Sequence, residues 1–304
     1  MKIIIIAIAK VATANLFSCF NFFHFKCAID VFILLYYSQI VKLCSISLFI
    51  TVYSYIIEMV IIVDKIDILI RWIKESKRTV FFGGAGVSTE SGLKDFRSKD
   101  GIYHESYKYP PEEILSHHFF LEHTKEFYDF YREKLNTSNF YPNVTHIVLS
   151  KLEKAGKLSS IITQNIDGFH QIAGSRNVLE LHGSIKRNYC MKCHKFYDDK
   201  IIFSSSSIPY CTCGGIIKPD VVLYEEVLDE VTIKKAIEEI SKAELLIIAG
   251  TSLNVYPAAS FVHYFCGKHL VLINRDKTPF DNYCDLVIYD SLGNVFKKME
   301  KELM

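Results

Sequence analysis

Two groups of residues in this 304-residue chain have the types and spacing to do chemistry. The first is Cys190-x-x-Cys193 followed by Cys211-x-Cys213, with 17 residues between the pairs. Four thiolates satisfy a tetrahedral zinc ion, a soft-ligand preference. The separation lies within the about 15–20 residues usual for a four-cysteine zinc site. Gly214-Gly215 gives the tight turn such a knuckle needs. The second pair has one intervening residue where two are usual, which strains the knuckle without forbidding four ligands. Free thiols and a redox Cys-x-x-Cys are the other readings. Four cysteines close a zinc shell, so His182 and His194 are surplus as ligands. His194 falls inside the first knuckle and reads as a surface residue. His182, before the first cysteine, is free for another task.

The second group stands at the ends of short apolar runs. Thr163-Gln164-Asn165-Ile166-Asp167-Gly168 follows Ile161-Ile162, Gly250-Thr251-Ser252 follows Leu245 to Ala249, and Asn274 follows Leu270 to Ile273. Such amides and carboxylates are costly to bury without partners. Ligands of parallel sheets bind beyond the carboxyl ends of the strands. Alone, Asn165 and Asp167 read equally well as helix caps. Gly84-Ala85-Gly86-Val87-Ser88 follows the run Thr79 to Phe82 and predicts a strand entering a glycine turn that opens a helix. Glycines there admit a pyrophosphate to the backbone, and the helix start offers N–H donors. Thr89 stands where the dinucleotide fingerprint has its third glycine, and a turn without ligand explains the stretch as well. Phe96 and Arg97, after a second glycine break, form a loop able to cover a nucleotide, or else core and surface residues. Three polar strand ends and a glycine turn on one edge favour a nucleotide site.

The elements that must position these residues follow from periodicity. Ile66, Leu69, Ile70 and Ile73 recur at helical spacing, predicting a helix that ends near Ser76. Glu112 to Leu135 is aromatic-rich and mostly helical in period. Short, continuous apolar runs alternating with helical segments give an α/β class, with a parallel sheet covered on both faces. Ser204 to Ser207 mark a loop inside the cysteine-rich insertion.

Lys plus Arg number 35 and Asp plus Glu 34, a net charge of +1, which gives no electrostatic argument for nucleic acid or an anionic membrane. Four of the nine cysteines lie between Cys190 and Cys213, and nothing resembles a secreted disulfide framework. A reducing, cytoplasmic setting is expected. Residues 1–58 differ from the rest, being rich in Ile, Phe, Tyr and Leu with few charges. The run Ile3 to Ala9 imitates a signal peptide, but Lys10 interrupts it. Leu43 to Ile57 is apolar but short of the roughly 20 residues that span a bilayer. A membrane anchor, a signal peptide and an extension outside the functional protein all compete. Met59, just before the first well-patterned element, favours the last.

From about Met59 onward the chain resembles the sirtuin family, the NAD-dependent protein lysine deacylases. The matching stretches are Gly84 to Arg97, Thr163 to Gly168, Leu181-His182-Gly183, the cysteine quartet, Lys218-Pro219-Asp220-Val221-Val222 and Gly250-Thr251-Ser252-Leu253, in family order. The resemblance implies a Rossmann-like parallel-sheet domain over 59–304 with a small zinc-ribbon module inserted at 186–218. NAD and an acetylated protein or peptide would meet between them. It implies that His182 is the general base and that Asn165 and Asp167 share the catalytic site. Gly84, Ala85, Gly86, Thr89, Phe96, Arg97, Gln164, Ile166, Asp167 and His182 would contact NAD, with Phe96 shielding the reacting ribose. Gly250, Thr251, Ser252, Asn274 and Asp290 would hold its phosphate and adenosine end. Val221, Val222 and Leu223 would pair with the substrate peptide as an added strand. Cys190, Cys193, Cys211 and Cys213 would hold Zn2+.

The family's products are nicotinamide, O-acyl-ADP-ribose and free lysine. Lys94 replaces the usual proline before Asp95-Phe96-Arg97, which implies a more mobile loop. The region after the cofactor loop lacks the Tyr-x-x-Arg pair of succinyl-accepting members, which favours neutral acyl groups. An NAD-dependent ADP-ribosyltransferase and a non-enzymatic NAD-binding scaffold are the competing functions. His182, Asn165 and Asp167 together argue against the scaffold.

Overall fold

The computed structural model describes residues 65–95, 101, 103, 107–253 and 256–303. The N-terminal stretch 1–58, with its three competing readings, lies outside them, as do Phe96 and Arg97. No helix among the described residues is long and apolar enough to cross a membrane.

The apolar runs become strands buried on both faces. These are β1 (Thr79–Gly83), β2 (Ser160–Thr163), β7 (Leu245–Ala249) and β8 (His269–Asn274). They join β3 (Val178–Glu180) and β9 (Leu286–Tyr289) in one sheet, ordered β3-β2-β1-β7-β8-β9. Every pairing in it is parallel. Because successive side chains alternate, each central strand feeds two cores. Phe81, Leu245, Ile247, Val271 and Ile273 face one way. They meet α1 (65–75), α3 (Val144–Lys154) and α5 (Leu292–Leu303) through residues such as Leu69, Ile73, Leu149 and Phe296. Val80, Phe82, Leu246, Ile248 and Leu272 face the other way, onto Ala236 and Ile240 of α4 (Glu230–Lys242). Each such buried side chain contributes about 1.5–3 kcal/mol. Both faces are therefore covered, as the unbroken apolar runs require.

The aromatic stretch after Glu112 is helical with breaks, at Pro111–Ile114, His117–Glu122 and α2 (Thr124–Leu135). Its rings do not pack on the large sheet. Phe119, Phe127, Tyr128 and Tyr131 build a third core with Ile185, Ile202, Ile217 and Val221. Ile202 lies in the short helix Lys200–Phe203, and the other three belong to a small antiparallel sheet of β5 (Phe196–Tyr197), β4 (Gly183–Cys190) and β6 (Ile217–Val221), ordered β5-β4-β6. Its β4 starts one residue after His182, and β6 runs to Val221. Arg187 on β4 ties the two sheets, reaching Glu180 of β3 at 2.5 Å and Asp220 of β6 at 2.8 Å.

The glycine turn differs from expectation. It opens no α-helix but two 3-10 turns, Ala85–Val87 and Thr89–Ser91, stopped by Gly92 at φ +92°. The glycines answer first to the protein itself. Gly86 N–H donates to Gly250 O at 2.8 Å, and a Cβ on Gly86 would lie 2.7 Å from Gly250 Cα. Gly250 sits at φ +60°, a left-handed conformation that favours glycine. The turns after β1 and β7 touch backbone to backbone.

Candidate active site

β1 is followed in sequence by β2 on one side, while β7 pairs with it on the other. A crevice forms outside the carboxyl ends at such a reversal. Here it is a cleft of about 1060 Å³. Its floor comes from the turns after β1 and β7: Ala85, Gly86, Thr89, Gly250, Thr251 and Ser252. β2 contributes Gln164, Asn165, Ile166 and Asp167. Asn274 and Asp290 come from the ends of β8 and β9, and His182 with Val221, Val222 and Leu223 from the small-sheet side. Gly84 lies below this lining, where a Cβ would stand 2.6 Å from Thr251 Cβ. The residues named for one nucleotide and peptide site are therefore brought together, apart from Phe96 and Arg97 beyond the described residues.

His182 is half-buried, and its Nδ1 lies 2.8 Å from Gln164 O. A carbonyl only accepts, so Nδ1 carries the proton. In the neutral ring the lone pair is then at Nε2. The Gln164 side chain is placed in turn, its Oε1 accepting from Thr251 Oγ1 at 3.3 Å.

Asn165 and Asp167 share one hydroxyl, that of Ser88 in the glycine turn, for which the sequence alone suggests no role. Ser88 Oγ lies 2.7 Å from Asp167 Oδ2 and 3.1 Å from Asn165 Nδ2. The other Asp167 oxygen accepts from Phe169 N–H at 2.8 Å, so part of the capping role also holds. Asp167 is 6% exposed. Burial pushes its carboxyl pKa up, against the pull of the Phe169 N–H and the Ser88 hydroxyl. Behind Ser88 stands a second unforeseen residue, the fully buried His146, with Nε2 at 3.4 Å. Burial pushes its pKa down to about 4. The sequence signal for it is Asn143-x-x-His146 at a helix start, a capping-box spacing with histidine in the Glu/Gln position.

At the end of β8, Asn274 Nδ2 donates to Asp276 O at 2.9 Å. Asp290 Oδ1 accepts from Ser291 N–H at 2.6 Å. Val222 N–H is already used, donating to His182 O at 3.0 Å, and Leu223 N–H donates to Glu226 Oε2 at 2.9 Å.

The four cysteine sulfurs all lie within 4.8 Å of one another, outside the cleft. Their close pairs are 3.4–3.6 Å apart, too far for a disulfide. Four sulfurs around one zinc at about 2.3 Å would lie about 3.8 Å apart, so the set fits after a small expansion. Backbone N–H of Cys213, then the Tyr197 hydroxyl, pull the Cys211 thiol down to about 5. His194 is outside the cluster. It occupies the left-handed region at φ +57°, turning the knuckle with its N–H on Cys190 O.

Comparison with known proteins agrees with this geometry. The model of the Sir2 family matches residues 84–257. An NAD-dependent protein deacetylase of Clostridium perfringens is 58% identical over 240 residues, covering 78% of this chain and 98% of that protein. One of Clostridium acetobutylicum is 54% identical over 241 residues, with the same two coverages. A solved Sir2 variant with deacetylated p53 peptide and 3'-O-acetyl ADP ribose superposes with a TM-score of 0.72. It is 37% identical, over 78% of this chain and 98% of that one.

Proposed function

The chain belongs to the Sir2 family, and from that premise we propose that it is an NAD-dependent protein deacetylase acting on acetylated lysines of proteins or peptides. Its products are nicotinamide, O-acetyl-ADP-ribose and free lysine. The observation that carries the reading is the 2.8 Å contact of His182 Nδ1 with Gln164 O, beside Asn165 and Asp167 in the cleft.

NAD supplies an electrophilic ribose carbon with nicotinamide as its leaving group. The chain's own residues do the rest. His182 would accept a proton at Nε2, near neutral pH, as general base toward a ribose hydroxyl. Asn165 positions the ribose and an ordered water. Gln164, Ile166 and Asp167 line the ribose and nicotinamide end, and Phe96 excludes water from the reacting carbon. Ala85, Gly86, Thr89 and Arg97 would contact NAD, and Gly250, Thr251, Ser252, Asn274 and Asp290 would hold its phosphate and adenosine end. The peptide lies along Val221, Val222 and Leu223.

Cys190, Cys193, Cys211 and Cys213 would hold Zn2+ in a closed, structural site. Their sulfur-only donor set and spacing support this. Thiolates of this kind need a reducing compartment, which supports the cytoplasm. Residues 1–58 we assign to an upstream extension that is not part of the functional protein. The Clostridium perfringens relative is matched over 98% of its own length by 240 residues of this chain. A native protein whose intact mass includes residues 1–58 would overturn that assignment.

The function is tested by incubating an acetyl-lysine peptide with the protein and NAD and weighing the products. Loss of acetyl from the peptide with matching acetyl-ADP-ribose is expected. ADP-ribose added to the peptide, or no NAD consumption, would overturn the reading.

A further inference from the structure

We propose that His146 is a positioning residue for the reaction: through Ser88 it fixes the Asn165 amide and the Asp167 carboxylate. The inference rests on the deacetylase reading above.

Ser88 Oγ has one proton and two lone pairs. An ionised carboxylate only accepts, so the hydroxyl donates to Asp167 Oδ2 at 2.7 Å. Asn165 Nδ2 fills one lone pair at 3.1 Å. The other faces His146 Nε2 at 3.4 Å, so that nitrogen must carry a proton. The far side of the ring agrees. The backbone N–H of Asn143, which can only donate, points at His146 Nδ1 from 3.2 Å. Asn143 Oδ1 is also 3.1 Å from Nδ1, but it takes its proton from Thr145 N–H at 2.9 Å. One assignment satisfies every group: Nδ1 accepts and Nε2 donates. At 3.4 Å the last bond is long, so it orients the hydroxyl more than it strengthens the fold.

The ring is also held in place. Phe169 meets it edge-on at 5.7 Å, and His170 lies 4.8 Å away. Asn143 Nδ2 donates to Val87 O at 2.7 Å and Ser91 Oγ at 3.1 Å, tying the start of α3 to the turn that carries Ser88. With its pKa pushed down to about 4 by burial, the imidazole keeps this donor–acceptor pattern near neutral pH. A serine hydroxyl rotates freely unless each neighbour has a fixed role. His146 removes the alternative in which Ser88 turns its proton from Asp167.

The test compares His146→Leu, His146→Gln and Ser88→Ala in the full chain, with acetyl-lysine peptide and NAD. His146→Leu should lower kcat about tenfold, roughly one oriented hydrogen bond, with peptide KM within about twofold. In glutamine, Oε1 and Nε2 reproduce the acceptor and donor, so His146→Gln should recover most of kcat. In a Ser88→Ala background, His146→Leu should cost no more than about twofold further, since coupled residues are not additive. Unchanged kcat in His146→Leu, a glutamine variant as impaired as the leucine one, or fully additive losses would each overturn the proposal. Histidine 15N NMR on the wild type needs no variant to fold: a neutral Nε2–H tautomer is expected, and an Nδ1–H tautomer would overturn it. An inactive wild type would overturn the deacetylase reading and this inference together. An active wild type with an unaffected His146→Leu would overturn this inference alone.

Discussion

With Nδ1–H on the Gln164 carbonyl at 2.8 Å, His182 has the tautomer that the proposed general base requires. His182→Ala should lower deacetylation by about 10²–10⁴, the usual range for a general base, while NAD affinity and zinc content stay at wild-type values. Measuring all three together isolates the role; loss of zinc would show that His182 belongs to the metal site. Asp167 makes the opposite bargain between activity and stability. Its pKa is raised by burial, so ionising it costs the fold some stability. Its contribution to stability is then full below the unfolded value and is lost as pH rises through the folded one. Asp167→Asn should therefore be inactive yet melt a few degrees higher at pH 7. That advantage should disappear in acid, where the wild-type carboxyl is protonated; equal melting curves at both pH values would refute it. At this scale His182, Asn165 and Asp167 stand out in the sequence because each is a polar residue beside an apolar run. The sequence did not reveal Ser88 and His146 as partners, since 58 positions separate them and only folding brings α3 to the glycine turn.

Elements hold these residues through two unlike sheets. The parallel sheet was legible in β1, β2, β7 and β8, whose runs are buried on both faces. β3 is three residues long and half-buried, and β9 is a four-residue edge strand with an exposed end. Glu180 interrupts the run in β3, whereas Leu286-Val287-Ile288-Tyr289 of β9 is a continuous apolar run and was open to reading as a short strand. The glycine turn suggested a helix, but Gly92 in the left-handed region ends the chain's winding after two 3-10 turns. The small sheet is the element whose failure is easiest to separate from chemistry. Cys211 takes the Tyr197 hydroxyl at 3.1 Å and the backbone N–H of Cys213, both favouring a thiolate. Cys211→Ser should lose zinc and melt lower by about 5 °C or more, since structural zinc contributes to folding directly. Metal analysis beside a thermal melt decides; a zinc-replete variant with a wild-type melt would show that the four sulfurs are not a metal site.

At the scale of the whole molecule, two buried imidazoles make the fold acid-sensitive well above the carboxylate range. His146 is held down from 6.5 to about 4 by burial alone. His170, 1% exposed and packed against it at 4.8 Å, is pushed well below its ordinary value by burial and then by His146. A ring whose folded pKa is depressed stabilises the fold above its unfolded value, near 6.5, and withdraws that stability as pH falls toward the folded one. For His146 the loss between pH 7 and pH 5 is about 2 kcal/mol. His170 adds to it in the same direction. Both rings sit between α3 and the short helix Phe169–Ile172, directly behind the residues that line the cleft. Acid should therefore loosen the site's support along with the global fold. Urea unfolding of the wild type at pH 7 and pH 5 should show that drop, and His146→Gln, which cannot titrate, should lose about 2 kcal/mol less over the same interval. Equal losses in the two proteins would mean that His146 is already charged, or already solvated, in the folded state.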